Sequence, residues 1–316
     1  MLVSIIIPTF NRADLIEETL ISIANQSFKN FECLIIDDHS VDSSEEIIKK
    51  FISKDQRFRY YKRPKCLKKG PSSCRNYGFS KSKGDLITWF DDDDIMLVDS
   101  LLHRVKAFIS NTDCVVCPLL AWDFKKDKAI YKTIIKSNNL IGDYLDGKVI
   151  FFVSGPLWKR SFLEGQTVLF DENISNLDDW DFNLRMLYAK PKIHFVEMPL
   201  ILYRIHYSSL TFRSDVGFSQ KIKSEYRARF KHLALLEPIN NKLCKWYKEN
   251  FQKRLNYQLL QVLTVDKKDR LLLLKLNLEL NLYLKDFKKC LRQLCGFCSY
   301  ILFNKGYLFF SNFKDR

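Results

Sequence analysis

Residues 88–96 read Thr-Trp-Phe-Asp-Asp-Asp-Asp-Ile-Met, four consecutive carboxylates directly behind an apolar run. Like charges side by side repel, and such a run on a surface is usually a solvated turn. A cation site is the alternative, because Mg2+ and Mn2+ take hard carboxylate oxygens and commonly share them with phosphate. A second acidic pair, Asp37-Asp38, closes the apolar run Cys33–Ile36. Two acidic strand ends on one sheet edge call for cations or hydrogen-bond donors between them. A uracil imide N–H is such a donor, and a diphosphate brings a metal. A third cluster, Asp178-Asp179-Trp180-Asp181, fits the acid-rich start of a helix. That accounts for Asp178 better than for Asp179.

The elements that must position these groups alternate through the first two hundred residues. Val3–Pro8 is a β-rich run ended by proline, and Leu15, Ile16, Leu20 and Ile23 follow at helical spacing. Phe31–Ile36 is a second buried strand. Asp42, with Glu45 three residues on, predicts a capping box on a helix reaching about Ser53. A short strand at Phe58–Tyr61, a helix capped by Ser72 or Ser73 and running through Lys81, and strands at Leu86–Phe90 and Cys114–Leu120 complete the pattern. Such alternation predicts a mostly parallel α/β sheet with helices on both faces, and ligands bind such sheets at the carboxyl ends of the strands. Pro8-Thr9-Phe10-Asn11, Asp37-Asp38 and Asp91–Asp94 all fall there.

These residues resemble family 2 glycosyltransferases of the GT-A, nucleotide-diphospho-sugar-binding fold. The resemblance covers about residues 1–210. It rests on Ser4–Arg12, Ile36–Asp42, Gly70–Gly78, Phe90–Asp94 and Asp178–Asp181 with Arg185 after it, five segments in family order and spacing. It implies an inverting, metal-dependent UDP-sugar glycosyltransferase, with Mn2+ or Mg2+ as cofactor. Pro8, Thr9, Phe10 and Asn11 would line the nucleoside pocket, Asp38 would accept the uracil N–H, and Arg75 would lie near the diphosphate. Asp91–Asp94 is similar to the family's DxD-type motif, with Asp93 as metal ligand and Asp91 or Asp92 on the ribose or on waters. Asp179 would be the general base, Asp178 its neighbour in the acidic motif. His206 resembles a late Arg-x-His that reaches metal or diphosphate, and Trp158, after Gly155-Pro156, would stack on a sugar, with Trp180 also near sugar or acceptor. Two positions depart from the family: it usually has glycine at His39 and glutamate at Asp178. The shorter side chain at 178 leaves open which acid is the base.

Charge divides the chain. Residues 1–210 hold 29 Lys/Arg against 28 Asp/Glu, whereas residues 211–316 hold 22 against 9, so +13 of the total +14 lies in the last third. Phe218–Leu236 and Lys242–Val265 read as basic amphipathic helices. Leu274–Leu284 shows leucine at period two, yet leucine does not favour strands, and a helix is expected. The reading is a catalytic domain over 1–210 and a basic, mainly helical region over 211–316 that serves membrane association or contacts with acceptor or a second subunit. An anionic partner is implied; the aromatics Phe297, Tyr300, Phe303, Tyr307, Phe309 and Phe310 point to a membrane surface. The start Met1-Leu2-Val3 shows no secretory signal, and Leu294–Phe303 falls short of the ~18 apolar residues of a span. Nine cysteines without disulfide-like spacing suit a reducing compartment, and the pairs Cys114/Cys117 and Cys295/Cys298 lie too far apart for a zinc finger.

The combined expectation is a cytoplasmic enzyme, peripheral at the inner face of a membrane, that moves a hexose or N-acetylhexosamine to a saccharide acceptor. The resemblance implies a lipid-linked acceptor and a role in capsule, O-antigen or other surface polysaccharide synthesis. Two rival classes frame it. Asp91-x-Asp93 behind a strand superficially matches a haloacid-dehalogenase-like, metal-dependent phosphatase, although that motif normally lies near the amino terminus. The basic tail permits a nucleic-acid- or membrane-binding protein without catalysis, but no finger, RNA-binding motif or recognition helix supports a nucleic-acid partner.

Overall fold

The structure, a computed structural model, describes residues 1–205, 218–266, 269–306 and 309–310. The chain divides into two compact units, Met1–Arg213 and Ser214–Arg316.

The first unit opens with β1 (Val3–Thr9), α1 (Ile16–Ala24), β2 (Phe31–Asp37), α2 (Ser44–Ile52), β3 (Phe58–Lys62), α3 (Pro71–Lys81), β4 (Leu86–Trp89), β5 (Ile95–Met96) and α4 (Ser100–Lys106). It continues with β6 (Cys114–Val116), β7 (Leu119–Asp123), β8 (Lys128–Lys132), α5 (Leu140–Asp146), β9 (Pro156–Lys159), α6 (Arg160–Glu164), α7 (Asp178–Tyr188), β10 (Ile193–Phe195) and β11 (Ile201–Arg204). Seven strands form one sheet in the order β10-β6-β9-β4-β1-β2-β3. All run parallel except β9, which is antiparallel to both β4 and β6. A smaller sheet runs β5-β11-β7-β8.

Period-two alternation sends β1 side chains to two helical layers. Val3, Ile5 and Ile7 meet Ile16, Leu20 and Ile23 of α1 and Ile48 of α2 in one buried cluster. On the other face, α3 packs so closely that a Cβ on Gly78 would stand 2.3 Å from Ile6 Cγ2. Trp89 extends that face, with its ring against Phe170 and against Phe182 of α7.

Four boundaries differ from the sequence reading. Proline does not end β1: Pro8 is paired opposite Ile36. The Ile6 carbonyl accepts from Phe90 N and the Thr9 carbonyl from Asp38 N. Alternation therefore points the Pro8 nitrogen toward β4, whose pairing stops at Ile6, so no ladder bond is lost. Asp42 makes no capping box. Its Oδ1 accepts from Ser44 N and its Oδ2 from Ala13 N, a turn that ties two loops together. Gly70, not Ser72 or Ser73, precedes α3, with Pro71 in its first turn. The single strand expected over Cys114–Leu120 is two, β6 and β7, in different sheets, with Cys117-Pro118 between them.

The second unit is helical among its described residues: α8 (Phe218–Leu236), α9 (Asn241–Gln261) with a π-helical end at Val262–Asp266, α10 (Arg270–Tyr283) and α11 (Phe287–Phe303). The leucine-rich stretch is helix, as the residue type rather than the period required: α10 buries Leu273, Leu276, Asn277 and Leu280 at steps of three and four. Buried amides cross-link its interior, with Asn281 accepting from Gln252 and donating to Gln293, which donates to Asn277.

Candidate active site

The carboxyl ends of β1, β2 and β4 meet the amino ends of α3 and α7. The loop after β1 is locked to the loop after β2: Asn11 N donates to Ser40 Oγ at 2.9 Å, Val41 N donates to Asn11 Oδ1 at 2.9 Å, and Arg12 N donates to Ser44 Oγ at 2.8 Å. His39 holds φ 64. That left-handed backbone suits glycine, the residue usual in the family, and the turn is kept here with a histidine whose Nε2–H donates to the Arg63 carbonyl at 2.8 Å.

Asp37 and Asp38 part company. Asp37 is buried and accepts from Ser40 Oγ at 2.5 Å and Tyr60 OH at 2.7 Å, so it anchors the loop. Asp38 Oδ1 accepts from Arg63 Nε at 2.5 Å and its Oδ2 from Gly70 N at 2.9 Å. An ionised carboxylate offers about four acceptor directions, so two donors leave room for one more. Phe10 lies under Lys69 Nζ, 4.4 Å from the ring centre.

The four-carboxylate run is resolved by arginines. Arg12 Nε donates to Asp92 Oδ1 at 3.1 Å and its Nη2 lies 3.5 Å from Asp93 Oδ2. Arg75 Nη2 donates to Asp91 Oδ1 at 3.0 Å. Arg204 N donates to Asp94 Oδ1 at 3.0 Å, and Arg204 Nε to the Asp93 carbonyl at 2.8 Å. Burial, then the charge of Asp93, pushes Asp92 up to about 7 against the pull of Arg12. Burial, then Asp93 and Asp91, pushes the fully buried Asp94 well above the carboxylate range. Asp94 is therefore a core carboxyl, not a ligand facing the cleft.

Arg75 joins two clusters that are remote in sequence. Its Nη1 donates to Asp178 Oδ2 while Nη2 holds Asp91. Its Nε is buried without a partner among the described residues. Asp179, next to Asp178 in the first turn of α7, makes no ion pair among the described residues; Trp180 N donates to its Oδ1 at 2.7 Å. Burial, then the charge of Asp178, raises Asp179 to about 7. Trp180 is held by Nε1–H donating to the Tyr144 carbonyl at 3.2 Å. Asp181 and Arg185 pair with each other along α7 at 2.9 Å.

Two expected sugar contacts are corrected. Trp158 is buried on β9, stacked on Phe162 with centroids 5.5 Å apart and edge-on to Phe182, so neither ring face is open to a sugar. Gly155 is small because its backbone approaches Phe151, whose carbonyl a Cβ would meet at 2.3 Å. His206 and Tyr307 lie outside the described residues. Arg12, Arg63 and Arg204 hold acids that their sequence positions do not point to. Arg12 directly follows the Pro-Thr-Phe-Asn motif and Arg204 precedes His206 by two, but nothing in the sequence says which acids they meet.

The donor set fits a hard divalent cation. Among the described residues no group of three His, Cys, Asp or Glu is arranged to hold a metal. Mg2+-type sites do not need one, since one or two carboxylates plus substrate phosphates suffice. The Asp91 side chain is 33% exposed and only its Oδ1 is engaged by Arg75, and Asp93 stands beside it.

The profile of the glycosyl transferase family 2 domain matches residues 4–162, half of the chain. The chain belongs to that family. This family 2 glycosyltransferase is 26% identical over 252 residues to a GalNAc(5)-diNAcBac-PP-undecaprenol beta-1,3-glucosyltransferase of Campylobacter jejuni, covering 76% of this chain and 74% of that one. Its fold is similar to S. aureus TarS residues 1–349 in complex with UDP-GlcNAc, with TM-score 0.60, 17% identity and coverage of 74% and 67% of the two chains. The chain spans 40% of the longer TarS chain. A mannosyltransferase of Pyrobaculum calidifontis in complex with GDP-Man and Mn2+ matches 96% of this chain and 87% of its own, with TM-score 0.54 and 15% identity. These likenesses place the fold among GT-A glycosyltransferases.

Proposed function

We propose that this glycosyltransferase moves a hexose or N-acetylhexosamine from a UDP-sugar to a lipid-linked saccharide, inverting the anomeric centre, with Asp179 as general base. The observation that carries the assignment is the pairing of Asp178 with Arg75 beside an Asp179 that makes no ion pair among the described residues and is raised to about 7. A base works best with a pKa near the operating pH. Asp178 has its Oδ2 already engaged by the Arg75 guanidinium.

In this reading Asp179 takes the proton of the acceptor hydroxyl as that oxygen bonds to the anomeric carbon. The anomeric C–O bond breaks with its electron pair leaving on the diphosphate. Pro8, Thr9, Phe10 and Asn11 shape the nucleoside end and Asp38 accepts the uracil N–H. Arg75, buried between Asp91 and Asp178, orients both acidic motifs and directs positive charge toward the diphosphate. Asp93 with Asp91 would hold Mn2+ or Mg2+, which when bound supplies Lewis-acid charge for the leaving diphosphate. Trp180, fixed by its indole N–H, stands beside the base, where an acceptor ring would dock.

The UDP-GlcNAc of the TarS complex and the undecaprenol-linked substrate named for the Campylobacter relative are in keeping with this donor and acceptor. A lipid-linked acceptor calls for work at the cytoplasmic face of a membrane as a peripheral enzyme. Among the described residues no helix is long and apolar enough to cross one. The test is a hydrolysis and transfer screen of UDP- and GDP-sugars with Mn2+ or Mg2+. Turnover of UDP-sugars that is lost in Asp179→Asn supports the reading. Preference for a GDP-sugar, or full turnover in Asp179→Asn, overturns it.

A further inference from the structure

Helix α11 carries Phe287, Leu291, Leu294, Cys298, Ile301 and Leu302, spaced 4, 3, 4, 3 and 1 residues apart. That spacing puts all six on one face over the whole length of the helix. The face points outward: Phe287 is 67% exposed, Leu291 66% and Leu302 71%. The opposite side supplies the packing, with Cys290, Gln293 and Gly296 buried. This redistributes the aromatic residues picked out by sequence. Phe310 is buried, and a Cβ on Gly296 would meet its ring at 2.6 Å, so Phe310 closes the inner face and is unavailable to a partner.

Charge selects the occupant. The helix bears Lys288, Lys289 and Arg292 and no acidic residue, within a region of net +13. Lys288 and Arg292 follow Phe287 and Leu291 by one residue each, so they border the stripe along one side. A second copy would bring +13 against +13. A nucleic acid would answer the charge but leave five large apolar side chains and a cysteine in water. An anionic bilayer answers both: lysine and arginine sit at the headgroups while the stripe enters the acyl boundary. A helix of this length and composition lies in the interface and does not span.

We infer that α11 is an interfacial helix that docks this enzyme on an anionic phospholipid surface, its axis in the membrane plane. The inference deepens the lipid-linked acceptor reading but stands on a separate surface, so the two fail separately.

The test is co-sedimentation of the full chain with phosphatidylcholine vesicles and with vesicles containing phosphatidylglycerol, alongside donor-sugar hydrolysis in solution. Binding is expected on the anionic vesicles, weakened by 0.5 M salt. Leu291→Glu with Ile301→Glu should reduce it by roughly tenfold or more, with hydrolysis unchanged. Both side chains are exposed, so folding tolerates the change. Ile134→Glu, an equally exposed apolar position in the first unit, should alter nothing. A fluorophore on Cys298, with Cys66 and Cys295 replaced by serine, should shift to the blue on anionic vesicles. Absent binding, equal binding to both lipids, or binding indifferent to the paired glutamates overturns the inference. So does a dimer in solution that those glutamates dissociate, or DNA capture that competes with vesicles and ignores the glutamates. Failure of UDP-sugar turnover with vesicle binding intact would sink the proposed reaction alone.

Discussion

Asp178 and Asp179 are adjacent and chemically identical, and their surroundings make them unequal. Arg75 takes Asp178; burial and the neighbouring negative charge raise Asp179 to about 7. Asp179→Asn keeps the shape but cannot take a proton, so kcat should fall ~10^2 to 10^4-fold, while UDP affinity in calorimetry stays within about twofold. A larger loss in Asp178→Asn would reverse the assignment. The base must be deprotonated to act, so kcat/KM should rise with pH up to about 7 and then level. A profile already flat from pH 5 would count against Asp179. The same reasoning separates Asp94 from its three neighbours. As a buried carboxyl well above the usual range, it should tolerate Asp94→Asn better than Asp94→Leu, because the amide keeps the oxygen that accepts from Arg204 N. Asp94→Leu strips the acceptor from Arg204 N and should cost ~1–3 kcal/mol in denaturant unfolding.

At the scale of elements, α3 shows how packing sets chemistry. Gly78 lets the helix sit against Ile6 and Ile36, and Arg75 lies one turn earlier on the same helix. Gly78→Ala should push α3 outward, costing ~1–3 kcal/mol as overpacking does, and lower kcat by misplacing Arg75. An unchanged melting temperature would show that Ile6 gives way freely. The strands and the acidic motifs were legible in the sequence because apolar runs closed by Asp37-Asp38 and Asp91–Asp94 are local signals. The arginines that answer those acids were not: Arg12 meets Asp92 across 80 positions and Arg204 meets the Asp93 carbonyl across 111. No spacing rule reaches that far. Trp158 misled because a tryptophan after Gly-Pro looks the same whether it faces a sugar or Phe162, and only the antiparallel insertion of β9 between β4 and β6 decides it. The break at Cys117-Pro118 was hidden for a related reason: an apolar run gives no sign of passing from one sheet to another.

At the scale of the whole molecule, the question is whether a cation is needed for the first unit to fold. Four consecutive carboxylates suggest that it is, but the arrangement argues otherwise. Asp92 and Asp93 face Arg12, Asp91 faces Arg75, and Asp94 is buried with its own backbone donor. Every carboxylate of the run thus has a guanidinium or backbone partner before any metal arrives, and a chelator should leave the melting temperature within about 1 °C. Mn2+ alone should add little, because two carboxylates already engaged by guanidinium groups are weak ligands without phosphate oxygens to complete the shell. Mn2+ with UDP should add much more, since a ligand present at 100 times its Kd stabilises by about 2.7 kcal/mol. For a unit of this size that is a rise of roughly 5–10 °C. Scanning the protein with chelator, with Mn2+, with UDP and with both separates the cases. A fall of several degrees in chelator would make the cation part of the fold. A full rise with UDP and chelator together would mean that Arg75 and its neighbours hold the diphosphate without a metal.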